Sequence, residues 1–176
     1  MQWTLWLPLP VPDFDPVAVL RVLVSHGVEF VLVGGVAARL RGAPLLTQDL
    51  DVTPATDREN LARLADGLKE LEARLRTATE PDGVPFPFDP GLLMSATVWT
   101  LITRFGDLDL VMSPAGTKGY PDLLADADVL RVAVEPDLMV KVASLGDVIR
   151  SKEAAGREKD RAALPLLRRT LEESGT

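Results

Sequence analysis

The chain has no cysteine and a single histidine, His26. The first absence removes disulfide frameworks, zinc–thiolate centres, iron–sulfur clusters and thiol nucleophiles together. The second removes a histidine-rich metal cage within one subunit, so any bound cation must be held by oxygen ligands. Aromatic residues amount to only 5%. Basic charge is also short: 19 Lys+Arg stand against 26 Asp+Glu, a formal net charge of −7, the wrong sign for binding nucleic acid through a broad basic face. The longest stretch free of charged residues, Pro90 to Thr103, has 14 residues, fewer than the ~20 that cross a bilayer. The N-terminal MQWTLWLPLPVP has no basic residue before Arg21 and is broken by Pro8, Pro10 and Pro12, unlike a secretory signal. Residues 1–14 read as an extended arm, and the expected location is the cytoplasm.

What is present is a composition that folds. With 176 residues, 47% of them apolar and 26% charged, the expectation is one domain over residues 1–176 with its own core. Asp15 before Pro16 reads as an N-cap with proline in the first turn, and Val17, Leu20 and Val24 carry that helix to Gly27. Val28 to Val33 (VEFVLV) reads as a strand buried on both faces that ends in Gly34-Gly35, followed by a short helix with Ala37, Ala38 and Leu40. Gln48 to Val52 is a second strand. Thr56 and Glu59 form a capping box for a helix whose apolar stripe is Leu61, Leu64, Leu68, Leu71 and Leu75. Pro81 to Pro90 reads as a helix-free connection, Val98 to Phe105 and Asp107 to Met112 as a hairpin turning at Gly106, and Val129 to Val134 as an edge strand. Ser144 opens a helix that stops at Gly156, and a last helix fills Glu158 to Glu173. The fold class is α/β (α+β): a small mixed sheet packed with helices, with residues 144–176 as a helical C-terminal segment.

Three features carry chemistry. In Asp49-Leu50-Asp51 the strand alternation sends both carboxylates to one face. A second Asp-Leu-Asp, at Asp107 to Asp109, repeats the pattern in another strand, although acids are depleted in strands. Like charges side by side raise each other's proton affinity unless a cation neutralises them, and Mg²⁺ prefers such hard oxygens; the competing reading is a solvated sheet face and a hairpin edge kept soluble by acids. Gly34-Gly35 is the second feature, because absent side chains let backbone N–H groups approach a phosphate, though a diglycine also makes an ordinary tight turn. The third is in the tail. Leu145, Val148 and Ile149 define an apolar stripe onto which Lys152 projects, and Asp160 holds the matching place ahead of Leu164, Leu167 and Leu171. These two charges on core-facing stripes read either as an ion pair fixing the angle between the two helices or as a site reaching a phosphate. His26, at a helix C-terminus, and Trp3, Trp6 and Trp99 read as structural.

Strand, Gly-Gly, short helix, Asp-x-Asp on the next strand and a later apolar-Asp-apolar strand resemble the opening of the nucleotidyltransferases of the DNA polymerase β superfamily. More narrowly, VGGVAARLRGAPLLTQDLDV with the C-terminal KEAAGREKDRAAL is similar to the minimal and AbiEii-like nucleotidyltransferases, MenT-type toxins of toxin–antitoxin pairs included, over about Val28 to Leu167. The resemblance implies that Gly34 and Gly35 hold a nucleoside triphosphate such as ATP. It makes Asp49, Asp51 and Asp109 catalytic ligands of divalent metal, two Mg²⁺ or Mn²⁺ in their place, and implies that Lys152 reaches the triphosphate while Asp160 orients it or a basic neighbour, Arg157 or Lys159. Asp109, flanked by leucines, is preferred over Asp107 as the third carboxylate. The superfamily often has Gly-Ser where this chain has Gly34-Gly35, which leaves phosphate contacts to backbone N–H groups and Thr47. The implied reaction moves a nucleoside monophosphate to an acceptor hydroxyl and releases pyrophosphate. An RNA (tRNA) 3′ end ranks first as acceptor, with Arg39, Arg41 and Arg157/Lys159 as contacts, ahead of a partner protein or a small antibiotic. A cognate antitoxin is the implied protein partner, no membrane partner is expected, and the alternative is a non-catalytic nucleotide- or partner-binding domain of the same fold.

Overall fold

The protein is described by a computed structural model that covers residues 13–87 and 89–175. Trp3, Trp6 and all of the expected arm except Asp13 and Phe14 lie outside the described residues. The chain runs α1 (Pro16–Ser25), β1 (Phe30–Val33), α2 (Gly34–Leu40), β2 (Asp49–Pro54), α3 (Arg58–Glu70), β3 (Arg74–Leu75), α4 (Pro90–Leu93), β4 (Val98–Thr103), β5 (Gly106–Val111), α5 (Tyr120–Ala125), β6 (Asp128–Ala133), β7 (Leu138–Val142), α6 (Leu145–Ala155) and α7 (Glu158–Ser174). The strands form one sheet in the order β3-β4-β5-β2-β1-β7-β6. β2 is parallel to β5 and β1 to β7; the other pairings are antiparallel.

Residue pattern explains the layering. Every residue of β1 is buried, as a near-continuous apolar run requires at the centre of a sheet covered on both sides. β2 and β5 alternate instead: Leu50, Val52, Leu108 and Leu110 are buried in the core while the acids between them face the other way. α1 packs on α3, α2 on α6, and α6 on α7. Among the described residues no helix is long and apolar enough to cross a membrane.

Several local expectations are corrected. Asp57, not Thr56, caps α3, accepting from Asn60 N at 2.9 Å. Asn60 rather than Glu59 then takes the third helical position, and its buried amide is spent on Glu29 and Ala55 backbone groups. The leucine stripe also stops short of Leu75. Leu71 caps the end of α3, Glu72 turns out of the helix at φ 53°, and Leu75 pairs in β3. His26 ends α1 and its Nε2 lies 2.6 Å from Glu70 Oε2. The indole of Trp99 donates to Leu93 O at 2.9 Å and packs on Phe86.

Candidate active site

The site is assembled by strand register. In the parallel β2–β5 pair, Asp49 lies opposite Asp107 and Asp51 opposite Asp109. Residues so paired project from the same face, so four carboxylates, in two pairs far apart in sequence, share one surface. Ligand atoms of Asp49, Asp51 and Asp109 lie within 4.8 Å of one another. Asp107 stands aside from that trio, its carboxylate taken by Arg76.

Gly34 brings the turn against this cluster. It begins α2 at φ +67°, and a Cβ there would stand 2.9 Å from Asp51 Cβ and 2.7 Å from its Cγ. Only a residue without a side chain fits. Gly35 serves a different neighbour: a Cβ on it would lie 2.8 Å from Thr47 Oγ1 and 2.9 Å from Thr47 Cβ. The Thr47 side chain therefore fills the space that a side chain at position 35 would take, and its hydroxyl lies 3.1 Å from Asp49 Oδ1.

Lys152 and Asp160 meet across the α6–α7 corner, where Gly156 turns the chain in the left-handed region. Lys152 Nζ is 3.2 Å from Asp160 Oδ1, and Arg157 Nε is 2.6 Å from Asp160 Oδ2. Asp160 is fully buried. Burial alone would raise its proton affinity, but hydrogen bonds from Arg157 and Lys152 outweigh that and hold it below the ordinary carboxylate value. The buried acid thus fixes two cations at the rim.

A cleft of about 600 Å³ is lined by Gly34, Gly35, Thr47, Asp49, Asp51, Asp109, Lys152 and Asp160, together with Arg157 and Lys159. All eight residues named from the sequence as site residues face this one space. Arg41 does not join them as a nucleic-acid contact. Its guanidinium donates to Ala143 O, Val142 O and Asp128, tying α2 to β7. Arg76 is the residue that sequence reading missed, and it lines the cleft against Asp107 and Asp109. It sits one residue past a two-residue strand, and nothing local in RLRT distinguishes it from a solvated arginine.

The acids share charge uneasily. Burial first, then the charges of Asp49 and Asp109, push Asp51 up to about 7. Burial likewise raises Asp109, with Arg76 opposing and Asp49 and Asp107 adding to the rise. Three hard oxygen donors that repel one another when ionised fit a divalent cation such as Mg²⁺ or Mn²⁺. This yields an expected pH dependence. Asp51 holds its proton more tightly when folded than at its unperturbed 3.8, so its contribution to stability is present at low pH and is lost as pH rises toward 7. A cation competes with that proton. In melting scans, Mn²⁺ over EDTA should raise Tm more at pH 8 than at pH 6; an increment that does not change with pH would contradict the shared-charge reading.

The fold that holds this site is shared with a solved adenylyltransferase structure. The likeness is one of structure, since no protein-family model matches the chain and no curated protein matches it in sequence. A solved structure with this fold is the lincomycin-bound crystal structure of the lincosamide antibiotic adenylyltransferase LnuA, which is 12% identical with a TM-score of 0.57, over 89% of this chain and 98% of that one.

Proposed function

We propose that the protein is an NTP-dependent nucleotidyltransferase that moves a nucleoside monophosphate to an acceptor hydroxyl and releases pyrophosphate. The observation that carries this reading is the convergence of Asp49, Asp51 and Asp109 with a glycine turn and a buried-acid-anchored Lys152 in one cleft. Asp49, Asp51 and Asp109 would hold divalent cations, which when bound lower the acceptor hydroxyl's pKa and neutralise phosphate charge. Asp109 takes the hydroxyl proton as the acceptor oxygen attacks the α-phosphorus. The new O–P bond forms as the bond from that phosphorus to the bridging oxygen breaks, and pyrophosphate leaves. Backbone N–H groups at Gly34 and Gly35 receive phosphate oxygens, Thr47 holds Asp49, and Lys152 supplies a point charge to the phosphates. Most of the acceleration comes from positioning and charge, because no covalent step falls to the protein.

An RNA 3′ end, as in the AbiEii- and MenT-like resemblance, is one acceptor reading, and it extends to the toxin of a toxin–antitoxin pair. It needs only a few basic contacts, for which Arg157 and Lys159 stand at the cleft. A small hydroxyl-bearing molecule is the second reading. It is favoured by the net charge of −7, by the engagement of Arg41 elsewhere, and by likeness to a protein described as an antibiotic adenylyltransferase. Incubation with each labelled NTP, Mg²⁺, total RNA, lysate protein and lincosamides should put label in one fraction. Label in RNA supports the first reading and label in a small molecule the second. No label in any fraction would end the enzymatic reading.

A further inference from the structure

Arg76 occupies a defined place in a row of residues that crosses the sheet. Its backbone N–H donates to Thr100 O at 2.9 Å, which continues the β3–β4 pairing one residue past β3. Thr100 is registered with Asp109, and Asp109 with Asp51. The row Arg76, Thr100, Asp109, Asp51 therefore runs at right angles to the strands, with its side chains on one face. Thr100 is short. The backbones of Arg76 and β5 stand about two strand spacings or ~10 Å apart, a gap that the arginine and aspartate side chains close together over Thr100. There the guanidinium forks: Nη1 binds Asp107 Oδ2, and Nη2 lies 3.3 Å from Asp109 Oδ1.

The two contacts are unequal. Asp107 makes the close one, and its carboxylate lies outside the trio that can share a cation. Asp109 takes the longer contact and is the more buried of the two acids, its side chain 15% exposed against 35%. A guanidinium is planar with its donors in a fixed fork, so anchoring one arm sets the direction of the other. Asp107 thus serves as the anchor, and the second arm is aimed at Oδ1 of Asp109.

We propose that Arg76, anchored by Asp107, is a positioning residue that fixes the orientation of the Asp109 carboxylate in the nucleotidyl-transfer site. The assignment rests on the transfer reading above. Arg76 acts through Asp109 and touches neither nucleotide nor acceptor. Its positive charge also opposes a nearby cation, so it trades metal affinity for orientation. Removing it should move the two properties in opposite directions.

The test compares R76Q, R76K and D107N with the wild type, using Mn²⁺ binding by calorimetry and steady-state transfer. R76Q is expected to bind Mn²⁺ more tightly, to lose about 10–100-fold in kcat, the range typical of outer residues that hold a metal ligand, and to keep KM for NTP within about threefold. R76K, which keeps the charge without the fork, should hold Mn²⁺ affinity near wild type and recover part of kcat. D107N, which frees the anchor, should lose less kcat than R76Q. A kcat within about threefold of wild type in R76Q overturns the assignment, as does a loss carried by KM, which would make Arg76 a substrate contact. Weaker Mn²⁺ binding in R76Q overturns it too, because Arg76 would then build the cation site instead of aiming one ligand. If R76Q does not fold, R76K and D107N carry the kcat and KM comparison, and a wild-type kcat in both overturns the assignment. Wild-type protein that binds Mn²⁺ and transfers nothing sinks the transfer reading, whereas wild-type transfer with unaltered variants sinks Arg76 alone.

Discussion

Asp49→Asn is expected to lower nucleotidyl transfer by at least about 10³-fold while leaving the melting temperature unchanged or higher. The expected loss follows from electrostatics: a cation stabilising transition-state charge is worth several kcal/mol, and each ~1.4 kcal/mol is tenfold in rate. The stability expectation follows from the same cluster. Asp49, Asp51 and Asp109 place ligand oxygens within 4.8 Å of one another, and the charge of Asp49 is one of the causes that push Asp51 up to about 7. Neutralising Asp49 relieves repulsion in metal-free protein. Asp51→Asn and Asp109→Asn should behave alike. Asp107→Asn should not, since its carboxylate is occupied with Arg76 outside the trio. A stable Asp49→Asn protein that transfers at the wild-type rate would refute the shared-cation site, and an Asp107→Asn loss equal to that of Asp109→Asn would reassign the third carboxylate.

The candidate site was legible where chemistry and periodicity coincide. Asp-x-Asp in a strand places two acids on one face whatever the sheet order, and the projection of Lys152 and Asp160 from apolar stripes requires only a helical repeat. Both placements hold in the structure, with the two acids of each strand facing the cleft and Lys152 3.2 Å from Asp160. What could not be read is pairing at a distance. Nothing in Asp107-Leu108-Asp109 states that its strand lies parallel to β2 in the register that sets Asp51 beside Asp109; that register depends on the whole core beneath Leu50 and Leu108. β3 has two residues, too few to show alternation, so Arg76 next to it carried no signal. β7 (LMVKV) has one polar residue among four apolar ones, too little alternation over five residues to mark a strand. At α3, Thr56 and Asp57 are adjacent residues that both cap well, and with Asp57 as cap the Asn60 amide meets the backbone of Glu29 just ahead of β1.

Gly34→Ala is expected to remove transfer and to weaken Mn²⁺ binding together, whereas the neighbouring Gly35→Ser is expected to be repairable. At Gly34 two penalties coincide. The backbone sits at φ +67°, a region that costs a residue with a Cβ about 1–3 kcal/mol where it persists. The added methyl would also press on Asp51, 2.7 Å from Cγ and 2.9 Å from Cβ. Those atoms belong to a strand residue held between β1 and β5, so Asp51 cannot withdraw without leaving the cluster. At Gly35 no such backbone strain exists, and the obstruction is Thr47 on a loop, whose Cβ lies 2.9 Å from the added carbon. Gly35→Ser alone should therefore displace Thr47 from Asp49 and lower transfer, and Thr47→Gly alone should lower it by loss of the hydroxyl. The double variant Gly35→Ser/Thr47→Gly exchanges the two side chains, restoring a hydroxyl beside the turn with room to sit. Transfer should recover toward wild type in that pair, a non-additive result expected only of residues that contend for one space. No change at position 47 should rescue Gly34→Ala, because its conflict is with Asp51. Simple addition of the two losses at positions 35 and 47, or recovery of Gly34→Ala by Thr47→Gly, would show that the glycines do not each answer to a separate neighbour.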